Sequence, residues 1–137
     1  MARITRRQFS ALTTSALLTP SVFANTKQES PLTRAIPGTG ERLPAVGLGT
    51  ASVFDSDDEK TRRIAAQVVR TLVDAGGRLI DTASTYGDAE MVLGSVVAGG
   101  GLRESVFIAT KLEEPDIGEL KRSLTRLRTA KLDLLQL

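Results

Sequence analysis

The sequence lacks histidine, cysteine and tryptophan, and it contains a single tyrosine among its 137 residues. Without cysteine it can form neither disulfide bonds nor thiolate metal sites. Because histidine is also absent, a zinc or iron site would depend on carboxylates alone, which those metals seldom accept. We therefore expect no metal centre. The absence of cysteine is also compatible with an oxidising compartment.

The remaining composition is that of an ordinary globular protein, with 41% hydrophobic and 25% charged residues. The formal net charge is +2, but residues 1–24 carry three of the 18 basic residues and none of the 16 acidic ones. The rest of the chain therefore carries one more acidic than basic residue. No basic surface remains to suggest a nucleic-acid partner.

Residues 1–24 have a basic start, a moderately apolar stretch and a Val-Phe-Ala ending. This layout is typical of a secretory signal peptide. The Arg6-Arg7 pair resembles the twin-arginine export signal, with a general secretion signal as the alternative. Pro20 and several hydroxyl residues interrupt the apolar run, so we expect no membrane span. The pattern predicts export, to the periplasm, by the twin-arginine pathway.

Beyond the signal, residues 25–34 are polar and predict a linker, and residues 35–137 predict a folded domain. The Gly38-Thr39-Gly40 turn indicates a small hairpin, which leads into a strand over Ala45–Gly49. The next segment, SDDEKTRRIAAQVVRTLVDAGG, has apolar residues at helical spacing. Its Ser56 and Glu59 fit a capping box, and its two closing glycines fit a helix C-terminus.

Strands and helices then alternate to the end of the sequence. RLIDTAS predicts a strand, a helix runs from about Asp88 to Gly99, and VFIATKL is nearly continuously apolar, as in a strand covered on both faces. A third helix and the strand LDLLQL follow. The alternation predicts a parallel α/β sheet with right-handed crossovers. Both a doubly wound open sheet and part of an eight-stranded barrel fit, although GLGTAS lacks the third glycine of a dinucleotide fingerprint.

Three reactive side chains fall at the C-terminal ends of predicted strands, where parallel α/β folds place their active sites. Asp81 and Lys111 end two strands, and Tyr86 lies in the loop after Asp81. Taken singly, each has an ordinary explanation as a turn former, a solvated lysine or a packed ring. Together they make chemical sense, because an ammonium near a phenol stabilises the phenolate and a carboxylate holds the ammonium in place. Such a phenol can protonate a developing alkoxide, as carbonyl reduction by a nicotinamide cofactor requires.

Four segments resemble successive signature segments of the aldo-keto reductase family. They are IPGTGERLPAVGLGT, LIDTASTYGDAEMVLG, VFIATKL and LTRLRTAKLDLLQL, and they cover roughly residues 34–137 in the right order. The spacing of Asp81, Tyr86, Glu90 and Gly94 is highly specific for that family.

The resemblance implies an eight-stranded (β/α) TIM barrel that reduces aldehydes or ketones with NADPH, and whose N-terminal hairpin closes the bottom. It implies that Tyr86 is the general acid, that Lys111 makes the phenol a better proton donor, and that Asp81 pairs with Lys111. Gly49, Thr50 and Ala51 would border the nicotinamide, with Asp81 beside them. The choice between NADPH and NADH and the identity of the carbonyl substrate stay open.

The resemblance also implies a catalytic histidine immediately after LDLLQL, at the position following Leu137. A complete barrel of this class needs ~250 residues, whereas 113 follow residue 24. We therefore expect residues 35–137 to form the first four strands of the barrel, truncated before the histidine and inactive alone. The sheet edges would be unpaired, so we expect self-association, aggregation or a partly molten state.

Two other functions compete with the reductase. One is a non-catalytic, secreted half-barrel that acts by self-association through its exposed edges. The other is a different barrel enzyme, an isomerase or lyase in which Lys111 forms a Schiff base.

Overall fold

A computed structural model describes residues 30–137. The predicted export signal at residues 1–24 lies outside this range, as do the first five residues of the predicted linker. Within residues 30–137, no helix is long and apolar enough to cross a membrane. The described part contains six strands and three α-helices: β1 Thr33–Ala35, β2 Arg42–Pro44, β3 Leu48–Gly49, α1 Glu59–Asp74, β4 Leu79–Asp81, α2 Ala89–Gly99, β5 Phe107–Lys111, α3 Ile117–Arg126 and β6 Leu134–Gln136.

The predicted N-terminal hairpin is present. Strands β1 and β2 pair antiparallel, with Arg34 opposite Leu43. Gly38 and Gly40 in the connecting turn both have positive φ, of 88° and 71°, which explains the preference for glycine there. Strand β1 begins at Thr33, two residues inside the range that we predicted as linker.

The other four strands form one parallel sheet in the order β3-β4-β5-β6. Spatial order therefore follows chain order without the reversal that defines a doubly wound sheet. Side chains from α1 and α2, from Leu127 directly after α3 and from the facing side of the strands share one apolar core. A sheet of consecutive parallel strands with its helices on one face is the arrangement of a (β/α) barrel, here represented by four of its strands.

Alternation along the strands separates the core from the opposite face of the sheet. Ile80 and Ile108 are fully buried in the core beneath the helices. Their neighbours in sequence point the other way, because successive side chains of a strand lie on opposite faces. Asp81 and Lys111 therefore share the face that lies away from the helices.

The start of α1 corrects one sequence-based prediction. We expected Ser56 and Glu59 to form a capping box, but the N-cap is Asp58, whose Oδ1 accepts a hydrogen bond from the Thr61 N–H at 2.8 Å. The Ser56 hydroxyl donates instead to Asp58 Oδ2 at 3.0 Å. The aspartate wins because its second oxygen also accepts from the Thr61 hydroxyl.

Helices α2 and α3 approach each other closely at Gly94. A Cβ atom there would lie 2.2 Å from the Arg126 carbonyl oxygen and 2.7 Å from Leu127 Cα. Only a residue without a side chain allows this contact. The close approach brings the end of α3, with Arg126, next to the start of α2 and the loop that carries Tyr86.

Candidate active site

Asp81 and Lys111 come together because they end adjacent parallel strands on the same face. Asp81 pairs in register with Ala109, and Lys111 lies two residues further along β5, on the same side of the sheet as Ala109. The loop after β4 continues beside β5, since the Thr82 N–H donates to the Ala109 carbonyl and the Ser84 N–H donates to the Lys111 carbonyl.

The Lys111 ammonium has three acceptors from the β4 strand end. Its Nζ lies 2.8 Å and 2.7 Å from the two carboxylate oxygens of Asp81 and 2.9 Å from the Thr82 carbonyl oxygen. The side chains of the pair remain 32% and 41% exposed, so solvent weakens their attraction. The geometry holds Nζ as a hydrogen-bond donor, whereas a Schiff-base lysine needs a free lone pair.

The Tyr86 ring lies next to the Lys111 ammonium. The Lys111 Nζ atom lies 5.1 Å from the centroid of the Tyr86 ring, which is within the range of a cation–π contact. The ring is half-buried and packs against the apolar core. The structure thus brings the predicted residues Asp81, Tyr86 and Lys111 together at one edge of the sheet.

The Tyr86 loop is anchored to the loop that follows β3. The Asp88 N–H donates to the Asp55 carbonyl at 3.3 Å, and the Asp57 N–H donates to Asp88 Oδ2 at 3.1 Å. Gly87 has a φ of 55°, and a Cβ atom there would lie 2.9 Å from the Asp55 carbonyl oxygen. Glycine therefore suits the position after Tyr86 both by backbone conformation and by space.

The predicted cofactor residues at the end of β3 differ in exposure. Gly49 lies opposite Asp81, and a Cβ atom added to it would meet nothing within 4 Å. Ala51 is also exposed. Thr50 is fully buried, and its N–H and hydroxyl both donate to the Asp81 carbonyl at 3.1 Å. Gly49 and Ala51 thus offer open surface next to Asp81, while Thr50 fixes the main chain of Asp81.

Sequence reasoning missed Gln136, which joins the site from β6. Its Nε2 atom donates to Asp81 Oδ1 at 3.3 Å. The register pairs Gln136 with Lys111 on the neighbouring strand. A signal was available, because Gln136 is the only polar residue in the apolar run of LLQL and lies two positions from Leu134, on the same face.

Ser84 was also missed, and it links the Tyr86 loop to α3. Its hydroxyl donates to Glu119 Oε1 at 2.5 Å, and the Glu113 N–H donates to the same oxygen. These hydrogen bonds, the one from Ser84 first, hold the pKa of the Glu119 carboxyl below its usual range. Nothing in the local sequence around Ser84 signals a partner 35 residues away.

The arrangement combines a phenol, an ammonium and a carboxylate at the open end of a parallel sheet. Such a group can deliver a proton to an oxygen that gains negative charge, because the ammonium stabilises the phenolate that remains. Among residues 30–137, no three metal-ligating side chains are grouped so that they could hold a metal ion.

Comparison with known proteins indicates the family to which the chain is similar. The model described as the aldo/keto reductase family matches residues 45–137. An aldo-keto reductase of Mycobacterium tuberculosis is 42% identical over 76 residues, which are 56% of this chain and 24% of that protein. An aldo-keto reductase of Klebsiella pneumoniae, solved in complex with NADPH, superimposes with a TM-score of 0.63 at 30% identity over 76% of this chain. A structure of aldo/keto reductase from the same organism with NADP and acetate gives a TM-score of 0.61 at 31% identity.

The chain spans only part of each of these relatives, 24% of the mycobacterial protein and 38% of the solved Klebsiella chain with NADPH. The matched solved chains agree with a parallel barrel of which four strands are described here. The comparisons give no support to a non-catalytic half-barrel that acts by self-association.

Proposed function

The chain belongs to the aldo/keto reductase family, and we propose that it contributes the proton-donating half of the active site of an NADPH-dependent enzyme that reduces aldehydes or ketones. The relatives support a carbonyl oxidoreductase at the level of the family. The NADPH and the residue roles are our proposal for this protein.

One observation carries the proposal: the Lys111 ammonium lies between the Asp81 carboxylate, at 2.7 Å, and the ring of Tyr86, at 5.1 Å from its centroid. Tyr86 is the only tyrosine of the chain. It is therefore the one phenol here that can act as general acid, and it has a cation beside it. The same contacts offer no free amine for Schiff-base chemistry at Lys111.

In the proposed reaction, NADPH held beside Gly49 and Ala51 would supply the hydride for the carbonyl carbon. As the C=O π electrons move onto oxygen, the Tyr86 hydroxyl donates its proton to that oxygen, and the product is the alcohol. Lys111 stabilises the phenolate left on Tyr86. Asp81, with Gln136 hydrogen-bonded to one of its oxygens, holds Lys111 in place.

The end of β3 fits a flat cofactor ring. Gly49 has open space where a side chain would be, and it lies beside Asp81 on the same face of the sheet. Ala51 is exposed at the same edge. We propose that these residues border the nicotinamide and that Thr50 supports them through its two hydrogen bonds to Asp81.

The test is NADPH oxidation in the presence of an aldehyde, followed spectrophotometrically. Because the matched part of the chain spans 38% of the Klebsiella relative, the assay should use a protein in which these residues form part of a complete barrel. Tyr86→Phe keeps the ring and removes the hydroxyl, so we expect its turnover to fall by about 10²–10⁴-fold. Glu104→Gln, on an exposed side chain just before β5 and so at the opposite end of that strand from Lys111, is the matched control and should keep wild-type turnover. Near-normal activity of Tyr86→Phe would remove Tyr86 from its role.

We also propose export by the twin-arginine pathway, supported by the Arg6-Arg7 pair in the signal-like segment 1–24. Conservative replacement of both arginines by lysine keeps the charge but should leave the protein in the cytoplasm. Fractionation of cells that express either form measures the distribution. Equal export of the two forms would favour the general secretion pathway.

A further inference from the structure

Glu90 is a buried carboxylate that the proposed reaction does not use. It is the second residue of α2, four positions after Tyr86, and only 1% of its surface is exposed. A carboxylate in such a place is costly unless it is paired or hydrogen-bonded. Its contacts therefore have to offset a substantial loss of hydration.

The two oxygens of Glu90 face two different segments. Oε1 accepts a hydrogen bond from the Thr110 hydroxyl at 2.8 Å. Thr110 is itself fully buried, and it directly precedes Lys111 on β5. Oε2 has no hydrogen-bond partner among residues 30–137 but lies 3.8 Å from Arg126 Nη1, at the end of α3. One carboxylate thus connects the helix after Tyr86 with the strand that carries Lys111.

Arg126 extends this connection to the other side of Tyr86. The same Nη1 atom donates to the Ser84 carbonyl oxygen at 3.3 Å, and Ser84 lies two residues before Tyr86. The Tyr86 loop is therefore held after the tyrosine by Glu90 and before it by Arg126. The contact with Arg126 is an ion pair and needs the Glu90 carboxylate, whereas the hydrogen bond from Thr110 needs only an acceptor oxygen.

We propose that Glu90 is a positioning residue that acts through Thr110 and Arg126 to hold the Tyr86 ring against Lys111. Its meaning for catalysis rests on the proposed reductase function, whereas its effect on the placement of Tyr86 does not. The reaction rate should depend on the exact position of the Tyr86 ring, because a misplacement of a catalytic group by about 1 Å can cost about 10²-fold in rate. Removal of one partner of a buried ion pair usually lowers stability, but a carboxylate with only a structural role would leave the Tyr86–Lys111 contact of the folded protein unchanged.

The single tyrosine makes the placement measurable without any activity. In NMR, the Tyr86 ring protons give one assignable set of signals, and their nuclear Overhauser effect (NOE) to the Lys111 ε-methylene protons reports the contact. Glu90→Gln keeps the volume and can still accept from Thr110, but it turns an amide donor toward Arg126. We expect this variant, in its folded state, to lose more than half of the NOE intensity.

Two further variants complete the test. Glu104→Gln removes an exposed carboxylate that pairs with Lys131, and it should leave the NOE unchanged. Thr110→Val removes the hydroxyl that donates to Glu90 with little change in shape, so it tests the same link if Glu90→Gln does not fold. Its NOE should also weaken. A wild-type NOE in folded Glu90→Gln, or in Thr110→Val where the first variant is unfolded, would overturn the inference.

The outcomes for the inference and for the reductase proposal are separable. If the wild-type protein fails to oxidise NADPH with any aldehyde but Glu90→Gln loses the NOE, the positioning role stands and the reductase proposal falls. If the wild-type protein turns over, Glu90→Gln should lower kcat and leave the KM for NADPH unchanged, because Glu90 does not face the end of β3. An unchanged kcat together with an unchanged NOE would overturn the positioning role alone.

Discussion

Replacement of Gly94 by alanine should separate the effect of a close helix contact from that of ordinary helix propensity. The Cβ atom of alanine would lie 2.2 Å from the Arg126 carbonyl oxygen and 2.7 Å from Leu127 Cα. Both neighbours are backbone atoms, so no side-chain rotation can relieve the overlap. The end of α3 would have to move by about 1 Å to restore an ordinary contact, and interiors packed at crystal-like density transmit such strain.

The expected magnitude follows from two opposed effects. Alanine in a helix interior is favoured over glycine by about 1 kcal/mol. Overpacking a well-packed contact costs typically about 1–3 kcal/mol and sometimes more, and a clash with main chain belongs at the upper end. We therefore expect Gly94→Ala to lower the free energy of unfolding by about 2 kcal/mol, which corresponds to roughly 10 °C in a domain of this size.

The assay is thermal and urea unfolding followed by far-UV circular dichroism. Gly99→Ala is the matched control, because Gly99 ends the same helix and a Cβ atom there would meet nothing within 4 Å. The control should be neutral or more stable by up to about 1 kcal/mol, in line with helix propensity. If Gly94→Ala unfolds at or above the wild-type temperature with an unchanged urea dependence, the packing argument is wrong.

Three further changes have defined outcomes. Asp81→Asn should lower the free energy of unfolding by less than about 1 kcal/mol, since its ion pair with Lys111 is partly exposed. It should nevertheless lower turnover by roughly a hundredfold, because the ammonium loses its charged anchor. Equal free-energy losses in the unfolding and turnover assays would contradict this. Asp133→Ala should destabilise the chain by about 2 kcal/mol in urea unfolding, because it removes the acceptor, at 2.8 Å, of both an N–H of β5 and the Arg103 guanidinium. The hydrogen bond from the Thr61 N–H lowers the pKa of the N-cap residue Asp58 below its ordinary value of 3.8. The stability that the ionised Asp58 carboxylate provides should therefore be present above pH 3.8 and be lost as the pH falls through the lower pKa of the folded state. Asp58→Asn should therefore be less stable than the wild type at neutral pH and approach it in acid, and a stability difference independent of pH would refute that reasoning.

The sequence allowed much of the candidate site to be predicted. Asp81 and Lys111 follow buried runs at strand ends, and parallel strands bring such ends to one edge. Tyr86 could be placed in the same loop system by its short distance from Asp81 in sequence. Gln136 escaped prediction because its contact depends on the register between β5 and β6. The prediction of a capping box at Ser56 was wrong because both Ser56 and Asp58 fit the sequence pattern of an N-cap. The side-chain hydrogen bonds of Asp58 decided between them.

By itself, the amino-acid sequence determined the alternation of strands and helices, the order of the family's motifs and the presence of a single phenol for acid chemistry. These properties depend on residue identity and on periodicity along the chain, which are local. The tertiary structure alone decided that Glu90 meets Thr110 and Arg126, that Gln136 reaches Asp81, and that Gly94 lies against the end of α3. Such contacts join residues 20 to 55 positions apart. They arise from strand register and helix packing, which follow from how the whole core fits together.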